Sequence, residues 1–91
     1  METYIGKVKD RFIIRGRGVV VVTDQMTEAL VGLVKEGDTV ELRNGTAKPV
    51  RAVIKDVAAM SGKDGHPFAF LTDASLTREQ AATGAEIWVV A

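Results

Sequence analysis

Four consecutive valines follow a Gly-Arg-Gly triplet in the stretch "DRFIIRGRGVVVV", which covers residues 10–22. A continuous β-branched run of this kind is typical of a strand that is covered on both faces. The segment before it, 4–14, alternates with a period of two and also predicts a strand rather than a helix. The two strands meet at Gly16 and Gly18, and we expect these glycines to allow a sharp bend or a close approach of backbone.

The alternation in segment 4–14 sorts its side chains onto two faces. One face carries the apolar residues Tyr4, Val8, Phe12 and Ile14. The other face is basic at most of its positions, and a further cation lies in the bend; these candidate nucleic-acid-binding residues are Lys7, Lys9, Arg11, Arg15 and Arg17. Alternate residues of a straight strand lie roughly 6.6–7 Å apart, a spacing that suits consecutive phosphates of an extended nucleic acid. The same pattern also fits a solvated face whose lysines protect a sheet edge from aggregation.

Further short strands are predicted at 39–43 ("TVELR"), within 48–60 ("KPVRAVIKDVAAM", where Pro49 fits the strand start), at 68–71 ("FAFL") and at 85–90 ("AEIWVV"). Turn signals separate the strands, and the candidate structural turn residues are Gly16, Gly18, Gly37, Asp38, Asn44, Gly45 and Gly84. Short strands separated by turns indicate a barrel or a sandwich. We therefore expect one all-β domain over residues 1–91, a small closed six-stranded Greek-key β-barrel with one short helical turn near 75–83.

Composition restricts the chemistry that the chain can perform. The 91 residues include 12 basic and 12 acidic side chains, no cysteine and one histidine, His66. A nucleotide-binding P-loop would need a Gly-Lys-Ser/Thr ending, which the sequence lacks, and a dinucleotide site would need a third glycine before a helix. His66 lies in the loop-like stretch "KDGHP", which suits a solvated turn residue better than a hydrolytic triad. We expect no catalytic residues, no cofactor and no metal site.

Hydropathy gives expectations about the setting of the protein. The charges in "ETYIGKVKDR" interrupt any signal-peptide core, and no apolar run reaches the ~20 residues of a membrane helix. These observations predict a soluble, cytoplasmic domain without membrane contact. The stretch 26–34, "MTEALVGLV", is unusually apolar for a connection between strands. It is a candidate contact for a partner protein or for a second copy of the chain.

Three motifs in order along the chain resemble the second-domain β-barrel of elongation factor Tu and other translational GTPases. They are "DRFIIRGRGVVVVT", "VKEGDTVEL" and "LTREQAATGAEIWVV". The resemblance covers residues 10–90 and implies a stand-alone barrel from a translational setting, with RNA or the ribosome as partner. The chain reads Leu71-Thr72-Asp73 where the family usually has Leu-Arg-Gly, so the tripeptide carries an anion in place of the family's cation. An anion there would repel the phosphates of a tRNA end.

Two functional hypotheses follow from these observations. The first is a non-enzymatic binding module that contacts RNA or the ribosome through its basic residues. The alternative is a protein-interaction or self-assembling barrel that uses segment 26–34. The translational GTPase family carries a nucleotide-binding domain ahead of this barrel, whereas the present sequence has no room for one.

Overall fold

The computed structural model describes residues 2–26, 32–45, 48–58, 67–73, 76–77 and 79–90. Within these residues the chain forms strands β1 (Glu2–Ile14), β2 (Gly18–Met26), β3 (Thr39–Arg43), β4 (Val50–Ala58), β5 (Pro67–Thr72) and β6 (Glu86–Val90). Alternating or β-branched residues occupy each of these segments, as a pleated surface with one buried face favours.

The strands close into a barrel in the order β1-β2-β5-β4-β3-β6, with every neighbouring pair antiparallel. Strands β3, β4 and β5 are consecutive, and β6 returns to lie beside β3, which is the arrangement of a Greek key. Glu2 lies opposite Val90 where β1 meets β6. The predicted six-stranded Greek-key barrel is confirmed.

The barrel encloses one hydrophobic core. Its largest fully buried side chains are Phe70, Ile54, Ile87, Val8, Val21 and Val40. Leu76, Ala81 and Ala85 pack into the same core from the segment before β6, so that this segment covers part of the barrel interior. The buried hydroxyl of Thr72 donates to the carbonyl oxygen of Val19 (3.0 Å), which removes the cost of an unpaired polar group.

The helical turn predicted near 75–83 is a minor feature of this segment. The described residues there contain no assigned helix, and one backbone bond spans four residues, from Ala81 N–H to the oxygen of Thr77 (3.2 Å). Further along, Gly84 N–H donates to the oxygen of Val8 (2.8 Å), and Val8 N–H donates to the oxygen of Ala85 (2.9 Å). These bonds attach the segment to the middle of β1.

Two register shifts in β1 overturn the predicted sorting of its side chains. The shifts lie between Tyr4 and Gly6 and between Val8 and Asp10. Each β-bulge adds a residue to one strand and changes which side chains point inward after it. Val8 is therefore buried, whereas Tyr4, on the same predicted face, is 45% exposed.

A carboxylate on the neighbouring strand lies against the first of these irregularities. Lys7 N–H donates to Oδ1 of Asp24 (2.9 Å), and Gln25 Nε2 donates to the same oxygen (3.2 Å). A Cβ at Gly6 would lie 2.6 Å from Oδ1 of Asp24, so a side chain at this position would displace that carboxylate from Lys7 N–H. The backbone bond from Lys7 is the largest cause that lowers the pKa of Asp24 from its ordinary value of 3.8.

Candidate functional site

The distal half of the β1–β2 hairpin is the most exposed apolar part of the described chain. Phe12, Ile13 and Ile14 are 52%, 62% and 39% exposed. Pairing of β1 with β6 stops at Lys7, and over Asp10 to Ile14 the only strand neighbour among the described residues is β2. We call residues 12–17 the hairpin tip.

The hairpin tip turns on the two glycines that the sequence analysis singled out. Arg17 N–H donates to the oxygen of Ile14 (3.0 Å), and Gly16 has a φ of 80° in the middle of this turn. Gly18 opens β2 with a φ of 141°, and a Cβ there would overlap the backbone oxygen of Thr72. The pair thus combines a turn with a close backbone crossing.

The other candidate turn residues lie in the connections between strands. Gly37, Gly45 and Gly84 have φ values of 93°, 58° and 91°. Asp38 accepts a bond from Lys35 N–H through Oδ2 (2.9 Å). Asn44 follows the last residue of β3. These residues shape the barrel and lie outside the hairpin tip.

The structure separates the five basic candidates. Arg15 and Arg17 lie together in the turn of the hairpin tip and are exposed to solvent. Lys9 lies at the second register shift of β1, and Lys7 lies opposite Glu86 of β6. The predicted single basic face of β1 is therefore replaced by a pair of tip arginines and two separate lysines.

Arg11 occupies a different environment from the other four candidates. It lies opposite the fully buried Val21, and its Nη1 donates to Oγ1 of Thr83 (2.5 Å). Its Nε is buried without a hydrogen-bond partner in the described part of the chain. The guanidinium therefore contacts the segment before β6, and Arg11 is less exposed than Arg15 and Arg17.

A groove of about 560 Å³ runs between the hairpin tip and the segment that precedes β6. One wall is formed by residues 13–19, and the other includes Leu76, Thr77 and Glu79. On the other side of the turn, a second depression of about 440 Å³ is lined by Gly16, Arg17, Glu36, Lys55, Asp56 and Leu71. The hairpin tip therefore stands between two open grooves.

The arginines of the hairpin tip have no side-chain ion pair or hydrogen bond within the described residues. A carboxylate, Glu79, lines the larger groove together with both Arg15 and Arg17. The sequence analysis identified Arg15 from the basic face of segment 4–14 and Arg17 from its position in the glycine bend. It placed Phe12 and Ile14 on an apolar face with the core residue Val8, and so missed that they are exposed.

A second cluster of side chains crosses the outer face of the barrel. Tyr4, Trp88, Glu41 and Arg51 lie opposite one another in turn across β1, β6, β3 and β4. The rings of Tyr4 and Trp88 are 5.3 Å apart, and the guanidinium of Arg43 lies 4.5 Å above the indole. Such stacking stabilises neighbouring strands.

Glu41 is the central anion of this outer cluster. Its carboxylate accepts bonds from Arg43 Nε (2.7 Å) and Arg51 Nε (2.9 Å), and only 10% of its side chain is exposed. These two bonds, with that of Arg43 the stronger, hold the pKa of Glu41 below its ordinary value of 4.5. Glu2 adds a second carboxylate on Arg43 (2.6 Å), which raises the pKa of the guanidinium. The cluster is internally paired and acts as a support for the sheet.

Other candidates fall partly or wholly outside the described residues. Of segment 26–34, residues 27–31 are outside, while Leu33 is 55% exposed and Val34 is buried. Residues 59–66, which include His66, are outside as well. No group of potential metal ligands occurs among the residues that the structure describes. The same residues include no helix with the length and hydropathy needed to cross a membrane.

Comparison of the chain with protein families, with curated proteins and with solved structures finds no match.

Proposed function

We propose that this chain is a non-enzymatic binding domain that contacts a partner protein through the hairpin tip. The observation that carries the proposal is the run of three consecutive apolar side chains, Phe12 to Ile14, each exposed by more than a third. Apolar groups left in water at one place favour association, because covering them removes that surface from solvent. The barrel supplies the rigid support from which the hairpin tip extends.

The test is capture from native extract after nuclease treatment. The immobilised protein is compared with a Phe12→Ser/Ile14→Ser variant, and we expect a protein partner that the variant fails to retain. A Val53→Ser variant is the matched control, because Val53 is 37% exposed on β4. Equal capture by both variants and by the unaltered chain would contradict a contact at the hairpin tip.

RNA or the ribosome is the second candidate partner. It is favoured by the exposed guanidinium groups of Arg15 and Arg17, which have no partner in the described part of the chain, and by the resemblance to the barrel of translational GTPases. Lys7 and Lys9 add charge along β1, and Phe12 offers an exposed ring on which a base can stack.

A salt series with total RNA tests this candidate. Phosphate contacts release counterions, so the logarithm of the binding constant should fall linearly with the logarithm of salt concentration. An Arg15→Ala/Arg17→Ala variant should bind more weakly and with a smaller slope. A Lys35→Ala/Lys48→Ala variant removes the same charge outside the hairpin tip and should match the unaltered chain. Absence of binding at low salt excludes this candidate.

A further inference from the structure

The distal half of β1 has an open edge. In an antiparallel ladder the N–H and C=O of one residue point to the same side, and successive residues alternate between sides. The oxygen of Ile14 is turned toward Arg17, within the hairpin. By alternation, the N–H and C=O of Ile13 point away from β2.

The backbone of Arg11 supports the same assignment. Its N–H donates to Oδ1 of the preceding Asp10 (2.8 Å), a local bond in place of a strand partner. Strand β6 does not pair with β1 at Arg11, because the pairing of the two strands ends at Lys7 and Glu86. Among the described residues, no strand therefore covers the side of Arg11 to Ile14 that faces away from β2; we call this side the β1 edge.

Unpaired strand edges recruit other strands unless charges, proline or a covering loop protect them. The β1 edge has charges only at its ends, while its middle carries the exposed side chains of Phe12 and Ile13. Peptide recognition by strand addition uses this combination, in which the backbone provides affinity and alternate side chains provide selectivity. The groove of about 560 Å³ beside Ile13 provides space for the side chains on one face of an added strand.

The charges around the β1 edge indicate which kind of strand binds there. Four cations, Lys9, Arg11, Arg15 and Arg17, lie along or beside the edge, against two carboxylates, Asp10 and, in the adjoining groove, Glu79. A second copy of this chain would bring the same excess of positive charge to the contact. An acidic partner instead places carboxylates beside guanidinium groups that have no partner among the described residues, and guanidinium–carboxylate bonds are strong and directional.

We propose that the β1 edge binds an extended acidic segment of a partner protein as an added strand, with carboxylates of that segment on Arg15 and Arg17. The inference rests on the proposed protein contact at the hairpin tip and states how that contact is made. It requires backbone pairing at Ile13, which a purely hydrophobic contact does not.

The probe is a labelled peptide of about nine alternating valine and glutamate residues, the length of a long strand. Its counterpart has lysine in place of glutamate, and a single-stranded RNA is the third ligand. Fluorescence anisotropy should show binding of the acidic peptide alone. An Arg15→Ala/Arg17→Ala variant should lose about tenfold in affinity or more. A Lys35→Ala/Lys48→Ala variant, which changes two exposed cations outside the hairpin tip, should bind as the unaltered chain does.

Backbone pairing is tested separately. An Ile13→Pro substitution removes the outward N–H and should abolish peptide binding, whereas Ile13→Ala keeps the N–H and should retain most of it. Circular dichroism shows whether the proline variant folds. Independently of that variant, the acidic peptide should slow hydrogen exchange of the Ile13 amide in the unaltered chain.

Three results would overturn the inference: equal binding of acidic and basic peptides, unchanged exchange at Ile13, or binding of RNA alone at this edge. If capture by the hairpin tip persists while the peptide fails, protein contact stands and strand addition is wrong. If Phe12→Ser/Ile14→Ser leaves capture unchanged, the proposed function itself fails.

Discussion

Gly18 shows how a single residue permits the close approach of two strands. A side chain there would overlap the oxygen of Thr72 and would require a φ of 141°, which L-residues rarely adopt. We expect Gly18→Ala to lower the free energy of unfolding by at least about 3 kcal/mol, measured by urea denaturation. Gly16→Ala, where open space surrounds the position, should cost about 1–2 kcal/mol for its left-handed φ alone. Equal losses in the two variants would contradict the crossing at Thr72.

Asp24 links stability to pH through the backbone of Lys7. Its pKa is lower in the folded chain than the ordinary 3.8, so the folded state favours the ionised carboxylate. The resulting stabilisation is complete above the unfolded pKa and is lost as pH falls through the lower, folded pKa.

We therefore expect Asp24→Asn to melt at a lower temperature than the unaltered chain at pH 7, and the difference to shrink below about pH 3.8. The melting temperatures of the two chains are compared at the same pH, because Glu41 also has a lowered pKa and its protonation destabilises both chains in acid. A difference in melting temperature that stays constant down to the most acidic conditions would show that the Asp24 charge is not involved.

At the scale of strands, the outer cluster couples β6, β3 and β4 through Glu41. Its carboxylate holds two arginines and is 10% exposed, whereas the carboxylate of Glu2 holds one arginine and is 48% exposed. Glu41→Gln should therefore lower the urea midpoint more than Glu2→Gln, because a nearly buried acceptor for two cations is harder to replace with water. If the two variants have the same midpoint, the cluster contributes little to pairing of the three strands.

The strands themselves could be predicted from sequence, but the side-chain faces of β1 could not. Period-two alternation and turn residues are local signals, and they suffice to locate six strands. The bulges in β1 depend on partners distant in sequence, including the carboxylate of Asp24 beside Gly6. Local alternation does not reveal these bulges, and it therefore assigns Phe12 and Ile14 to the same face as Val8, although both side chains are exposed. The candidate site was thus predicted only in part: Arg15 followed from the alternation in segment 4–14 and Arg17 from the glycine bend, whereas the exposure of its apolar side chains depends on the strand register.

At the scale of the whole molecule, closure joins the two ends of the described chain. Strand β1 pairs with β6, so that Glu2 lies opposite Val90, and Leu76 from the segment before β6 reaches the same core. Detaching any one strand from this closed sheet would expose two sheet edges and part of the hydrophobic core. The barrel should therefore unfold as one cooperative unit, as small single domains usually do.

Trp88, the single tryptophan, reports on this closure because it lies on β6 against Tyr4 of β1. We expect its fluorescence and the far-ultraviolet circular dichroism to give coincident urea transitions. Refolding should take milliseconds to seconds, since β-barrels must bring together segments that are distant in sequence before these contacts stabilise them. A Trp88 transition at lower urea than the loss of β structure would show that β6 detaches first. The closed barrel would then consist of a stable five-stranded sheet with a separable last strand.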